Sequence, residues 1–348
     1  MRRMCWKCHG RRPERAPRIS QLALAAAAQA VDAARIGPKS IDRDSVGVVF
    51  CTDGGAVDKT TSNLEAISQD RPRTMEPLSF QDGVWNIPGS LVNIEYGFRG
   101  PMLALPMGWA AGGYGVAVAA DLVSGGFVSA VVVVAADILT SLEHDIYRRL
   151  RLASPNDRGD EATRPFDIRH NGPVLAEGAA ALVLERRDHA EGRRAPACAT
   201  LAGWAITSDA DGIGAKKRSS GIRTSMQESL AGGPLPEVVY SGSYCTADAD
   251  RAEARAIREL FGERTPWVTN IRGVAGEARS VTGLLNVIAA ARSLETGIVP
   301  PTAGFERADP LCALKVPTRP AAGRFNSILC NNFFVNGINS SCLLRRAT

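Results

Sequence analysis

The 348-residue sequence predicts an α/β fold whose central strands are mainly parallel and whose elements fall into two halves. Two observations carry that prediction. Apolar runs of strand length alternate with helical patterns along most of the chain, and one of them, 128–136 (VSAVVVVAA), has the uncharged, valine-rich composition of a central strand covered on both faces. The second is the stretch 98–123. Gly100-Pro101 turns the chain into the short apolar run 102–105, and after Gly108-Trp109 a small-residue run with almost no charge reads as a helix hydrophobic on every side, hence deeply buried. A strand that feeds a central helix through a tight glycine-containing elbow is where many enzymes place a nucleophile, because the helix N-terminus stabilises developing negative charge. Here the elbow carries Trp109.

In chain order, residues 1–18 are a basic leader (Arg2, Arg3, Lys7, Arg11, Arg12, Arg15, Arg18), expected to be a disordered or loosely docked tail. Its Cys5-Trp6-Lys7-Cys8-His9 run invites a zinc or redox reading, but a lone CxxC without a second pair at ligand spacing is a weak signal, and no metal is expected. Residues 21–34 (QLALAAAAQAVDAA) form an amphipathic helix with Ser20 as N-cap. A buried strand follows at 45–52, then a polar, irregular stretch at 56–88 and a short helix or turn at 91–96 leading into the elbow. After the valine-rich strand, 137–163 carries mixed charge and a loop at 154–160. The end of 164–185 is a strand, 186–194 is turn material, and a strand at 198–207 closes the first half. The second half opens with the loop 208–212 and continues through a helix near 225–230, a strand at 238–241, a helix at 250–261 and a strand near 268–271. An apolar helix at 283–294 and the strand pair 324–331 and 337–344 complete it.

Composition narrows the function classes. The net charge of +5 is modest and weighted toward the leader, which argues against a nucleic-acid face. No uninterrupted apolar run reaches the roughly 18 residues that span a bilayer. The N-terminus also lacks the apolar core of a signal peptide, so a cytoplasmic protein without a membrane partner is expected. The eight cysteines are spread out and sit mostly in apolar settings, as reduced thiols do.

Four blocks carry a resemblance: the Gly100-Pro101 elbow with its helix; 164–185 (RPFDIRHNGPVLAEGAAALVLE); Asp250-Arg251-Ala252-Glu253 with Pro300-Pro301-Thr302 downstream; and the closing 331–339 (NNFFVNGIN). In order and spacing, from about residue 20 to 346, they resemble the β-ketoacyl-acyl carrier protein synthase family of the thiolase fold. The resemblance implies a layered αβαβα architecture of two similar βαβ halves, 19–207 and 208–348, and an N-terminal truncation, because the family's opening strand has no counterpart before the first helix.

It also implies a chemistry, decarboxylative Claisen condensation, in which an elbow cysteine takes the acyl group and two histidines serve the malonyl thioester and its enolate. Trp109 stands at the cysteine position. The loop 241–246 (SGSYCT), led by Ser241, stands where the first histidine belongs, and in 272–277 (RGVAGE) the second is replaced by Glu277 after Arg272. His9, His144, His170 and His189 lie outside these loops. An indole cannot attack a thioester, and a carboxylate beside an enolate oxyanion repels it. Only backbone N–H donors, at Trp109 and Val335, would survive such changes.

The pattern is similar to the family's non-condensing branch, the chain length factor or ketosynthase β subunit, to which the loop 239–250, one residue longer than in active enzymes, and 336–340 also conform. That branch implies no cofactor, a ketosynthase α subunit and an acyl carrier protein as partners, and a role in shaping a polyketide, polyene or fatty acyl chain. Candidate substrate-facing residues are Trp109, Tyr114, Val118, Arg272, Glu277 and Val335, the last at the family's gating phenylalanine. Candidate dimer-face residues are Phe98, Met102 and Met107. Arg99, Lys216 and Lys217 are candidate contacts to an acidic carrier protein.

Several readings stay open on the residues alone. Trp109 is a plug of the acyl pocket or plain core filling, the plug being favoured because an indole N–H needs a partner. Tyr114 and Val118 are tunnel wall or core. Glu277 is a new general base or the ion-pair partner of Arg272 or Arg279. Cys245 and Cys330 are substitute nucleophiles or inert buried thiols. The alternatives to a silent subunit are an acyl-thioester enzyme repurposed around Glu277, Cys245 or Asn332, and a homodimeric protein that binds acyl chains or carrier proteins.

Overall fold

Uninterrupted apolar strands need cover on both faces, and the computed structural model, which describes residues 16–37, 40–71, 73, 77–156, 159–210 and 219–347, supplies it with five layers. The first half contains α1 (Arg18–Ala33), β1 (Val46–Thr52), α2 (Val57–Ser68), α3 (Pro77–Asp82), α4 (Ile87–Tyr96), β2 (Met102–Pro106), α5 (Ala111–Ser124), β3 (Ala130–Asp137), α6 (Ser141–Arg149), β4 (Gly178–Glu185) and α7 (Arg187–Gly192). The second contains β5 (Ala199–Ser208), α8 (Ser220–Leu230), β6 (Val238–Tyr240), α9 (Ala247–Phe261), β7 (Trp267–Thr269), α10 (Arg272–Ala275), α11 (Ser280–Thr296), the short pair β8 (Ile298–Val299) and β9 (Ala321–Ala322), β10 (Ser327–Phe333) and β11 (Ile338–Arg346).

The first sheet has the order β2-β1-β3-β4 and the second β5-β11-β10-β6-β7. In each, three parallel strands are followed by an antiparallel one, β4 on β3 and β11 on β10. Every residue of β1 and β3 is buried, as their apolar runs require; Asp137, the charged residue at the end of β3, accepts from Thr52 Oγ1 (2.9 Å). Helices α1 and α4 cover the outer face of the first sheet, α5 and α11 lie between the sheets, and α8 and α9 cover the outer face of the second. The middle layer is possible because α5 is built of small residues: a Cβ on Gly112 would stand 2.1 Å from the Ser280 carbonyl oxygen, and one on Gly115 2.2 Å from the Cys51 sulfur. No helix among the described residues is long and apolar enough to cross a membrane.

The structure corrects four local expectations. Ser20 is buried in the first turn of α1, and Pro17 holds the N-cap position. The stretch 56–88 is not irregular but carries α2, α3 and the start of α4; α2 buries no residue and so has no apolar stripe to announce it. Within 137–163 lies α6, whose start is fixed by a capping box in which the Thr140 hydroxyl accepts from Glu143 N (3.2 Å) and the Glu143 carboxylate accepts from Thr140 N (3.0 Å). The strand expected to close the first half, now β5, instead pairs antiparallel with β11, Ser208 opposite Ile338, and so belongs to the second sheet. The leader's Cys5, Cys8 and His9, like Lys216 and Lys217, lie outside the described residues.

Candidate functional site

The elbow forms where β2 ends and Gly108, at φ +69°, turns the chain into a short 3₁₀ turn leading to α5. This seats Trp109 at the junction of both halves, 1% exposed. Its indole is stacked on Phe334 (ring centroids 4.7 Å apart, planes at 19°), meets Tyr244 edge-on (5.7 Å, 87°) and lies tilted against Tyr147 of α6 (5.1 Å, 58°). The loop between β10 and β11 clamps this arrangement from the other half. Asn332 Nδ2 donates to the Ala110 carbonyl (2.9 Å) and Asn336 Nδ2 to the Met107 carbonyl (3.1 Å). The indole Nε1 meets no acceptor in good hydrogen-bond geometry among the described residues, although it lies close enough to the Tyr147 hydroxyl to act on it as a donor, so ring packing is the main restraint on the side chain.

The two loops where the resemblance implies histidines, 241–246 and 272–277, carry a buried ionic network. Arg272 Nε donates to the Glu277 carboxylate, and its Nη1 donates to the Ser241 carbonyl (3.1 Å). The other Glu277 oxygen accepts from Arg279 N (2.7 Å). Burial disfavours the Arg272 charge, yet the Glu277 carboxylate more than offsets it and holds the guanidinium above its ordinary pKa. Both oxygens of Glu277 are thus engaged, which is the arrangement of a structural ion pair and not of a free base. The Arg279 side chain turns away to Glu143 and the Ile138 carbonyl. Ser241 donates its hydroxyl to Glu253 (2.5 Å), whose carboxyl is pushed up by burial.

The candidate thiols are silent on the same grounds. Cys245 is fully buried at φ +64°, its pKa pushed well above the ordinary thiol value by burial and then by the Asp250 carboxylate; burial does the same to Cys330. Neither is poised as a thiolate. His170 is buried between Asp250 (2.8 Å) and Asp309 (3.3 Å).

Of the remaining candidates, Tyr114 and Val118 are half-buried on α5, Val118 against the central core, and Val335 is half-buried beside Phe334. Phe98 is buried and stacked on Tyr96 (5.4 Å, 18°) in the core under α1, so it cannot present itself to a partner; Met102 and Met107 are half-buried. Arg99 is already paired with Asp44.

Sequence reasoning missed the side chains that seat the indole: Tyr147, Tyr244 and Phe334. It also missed Asp53, which accepts from the Tyr147 hydroxyl beneath the cluster. The Phe333-Phe334 doublet and the Thr-x-x-Glu start of α6 at 140–143 were the available signals.

A wholly packed elbow with no nucleophile sits in a duplicated α/β frame, and family models identify that frame. The β-ketoacyl synthase N-terminal domain matches residues 4–190 and the β-ketoacyl synthase C-terminal domain residues 198–306. The chain belongs to the β-ketoacyl synthase family. It is 27% identical over 336 residues to a 3-oxoacyl-[acyl-carrier-protein] synthase 2 of Coxiella burnetii, covering 94% of this chain and 81% of that one. It is also 27% identical over 348 residues to the tetracenomycin polyketide synthase ketoacyl synthase alpha subunit of Streptomyces glaucescens, covering 94% and 81%. Among solved structures, a β-ketoacyl synthase from Burkholderia phymatum matches with a TM-score of 0.89 at 24% identity, over 95% of this chain and 83% of that one. The ishigamide ketosynthase/chain length factor matches with a TM-score of 0.87 at 24% identity, over 97% and 86%. The β-ketoacyl synthase fold is therefore the thiolase-like one that the sequence resemblance implied.

Proposed function

We propose that this chain is a non-condensing ketosynthase-family subunit of the chain length factor kind, which pairs with an active ketosynthase and shapes the cavity that holds the growing acyl chain. The observation that carries the proposal is the buried Trp109–Phe334 stack, which puts an unreactive, immobile pair of rings at the elbow. It is supported by the Arg272–Glu277 pair, in which hydrogen bonds from Arg272 and from Arg279 N engage both carboxylate oxygens. Condensation needs a nucleophile and a proton-transfer group within reach of one thioester, and this site offers neither.

What such a chain contributes is shape. In this reading the half-buried Tyr114, Val118 and Val335 line the neighbouring acyl space, the exposed edge of β2 with Met102 and Met107 faces the active subunit, and an acyl carrier protein delivers the chain. The test is co-expression with a ketosynthase that keeps its cysteine and histidines, followed by size-exclusion chromatography and native mass spectrometry. A 1:1 complex that makes a product of defined length is expected. A homodimer that ignores every such ketosynthase contradicts it.

A further inference from the structure

Helix α6 is amphipathic the wrong way round. Leu142 and Ile146, with Leu150 at the C-cap, recur every four residues on one side and are 47%, 44% and 60% exposed, whereas the one buried residue of the helix is Glu143. No other helix or strand lies along it. Two side chains one turn apart hold its inner side down. Glu143 pairs with Arg279, and Tyr147 donates its hydroxyl to Asp53 and sets its ring against the Trp109 indole (5.1 Å). The flanking chain is fastened more firmly. Leu139 and Leu152 pack against the same core as Trp109, and Leu139 N donates to the Glu177 carboxylate (3.2 Å). Just after the helix, Arg151 takes φ +56°, a left-handed conformation that is costly for a residue with a Cβ and marks a defined pivot.

A helix held by apolar burial loses that burial for good when it lifts. The anchors of α6 are polar, so their partners regain water, and separating both members of a buried ion pair into solvent costs far less than deleting one of them. We propose that α6 is a hinged lid on the elbow, shut by Tyr147 and Glu143 and pivoting at Arg151, and that lifting it bares the side of the indole which Tyr147 covers. The Trp109–Phe334 stack is made by other elements and stays in place, so the lid and the silent elbow are separate claims. Acid holds the lid shut. The groups that face Asp53 are Asp137 of β3, Glu143 and Tyr147 of α6, and Arg279 before α11; Asp58 lies in the first turn of α2, the next helix in the chain. With the lid shut, burial and then the Asp137 carboxylate keep a proton on Asp53 up to about pH 6. With it lifted, Asp53 is hydrated and moves toward the value of about 3.9 of a free aspartate. The shut form thus binds more protons between these values, and opening is favoured as pH rises through about 6.

Hydrogen exchange on the full-length chain, corrected for the intrinsic effect of pH on amide exchange, tests the assignment. The amides of α6 are expected to share one protection factor, about a hundredfold or more below that of β3, because they open without global unfolding. That factor should fall about fivefold or more between about pH 4.5 and about pH 7.5, and Asp53→Asn should abolish the fall. His144, 4.0 Å from Asp145 on the same helix, is unchanged in this variant and so cannot supply the difference. Tyr147→Phe gives a second reading should Asp53→Asn fail to fold. It keeps the ring and loses the hydroxyl, so α6 protection should drop about threefold or more at about pH 7.5, where the hydroxyl meets a carboxylate, and less than about twofold at about pH 4.5. The proposal is overturned if α6 is protected as strongly as β3, or if its exchange is graded from one end as in a fraying helix. It is also overturned if α6 protection does not change with pH, or falls equally in Asp53→Asn. None of these outcomes depends on whether the chain condenses thioesters.

Discussion

The elbow and the loops 241–246 and 272–277 are filled by opposite means. On one side Trp109, Phe334, Tyr244 and Tyr147 close the space with rings. On the other, Arg272 and Glu277 close it with opposite charges whose hydrogen bonds run to the Ser241 carbonyl and Arg279 N. The difference lies in how each fails. Ring packing degrades gradually as volume is removed, whereas a buried ion pair that loses one member leaves an uncompensated charge.

The sharpest way to break this comparison is Arg272→Met. With Glu277 left buried and unpaired, the chain is expected to lose about 3–5 kcal/mol in urea unfolding. Adding Glu277→Gln should recover part of that loss. A single-variant loss below about 1 kcal/mol would place the pair among solvated ones.

Asp53, which accepts from the Tyr147 hydroxyl beneath the rings, gives a pH signature. Burial and then the Asp137 carboxylate push its carboxyl up to about 6. In the unfolded chain the value is about 3.9, so between these values the folded form holds a proton that the unfolded form has released. Stability from this group is thus fully present below about pH 4 and is lost as pH rises through about 6, a swing of roughly 2–3 kcal/mol. The unfolding free energy of Asp53→Asn relative to the parent chain should therefore improve steadily from pH 4 to 7. A flat difference removes Asp53 from the account.

Trp109→Phe sharpens the aromatic side. It keeps a ring against Phe334 but empties part of the seat, at a cost of about 1–2 kcal/mol by thermal unfolding. The smallest effect is expected for Arg99→Ala: the Arg99–Asp44 pair is exposed on both sides, and its loss should leave the melting temperature unchanged.

What could be read from the sequence follows the same division. The apolar runs of β1 and β3 and the small-residue helix α5 were legible because burial leaves a compositional trace. The placing of Trp109, Ser241 and Glu277 at the positions where the family resemblance implies a cysteine and two histidines rests on the motif blocks on either side. The rings around Trp109 were not, since Tyr147, Tyr244 and Phe334 come from three separated stretches that only the tertiary fold joins. Nor was the sheet to which β5 belongs: a strand's composition reports its cover and says nothing of its hydrogen-bonding neighbour. The burial of Phe98 was not legible either, because an aromatic beside a turn looks alike whether it points inward or out.

The account rests on an elbow without chemistry, and the most direct test gives the purified chain, alone, an acyl-carrier protein and a malonyl-carrier protein, then follows products and protein mass by mass spectrometry. It predicts neither an elongated β-ketoacyl thioester nor an acyl group on the polypeptide. Carbon–carbon bond formation above the protein-free control, or an acyl adduct on Cys245, would contradict it.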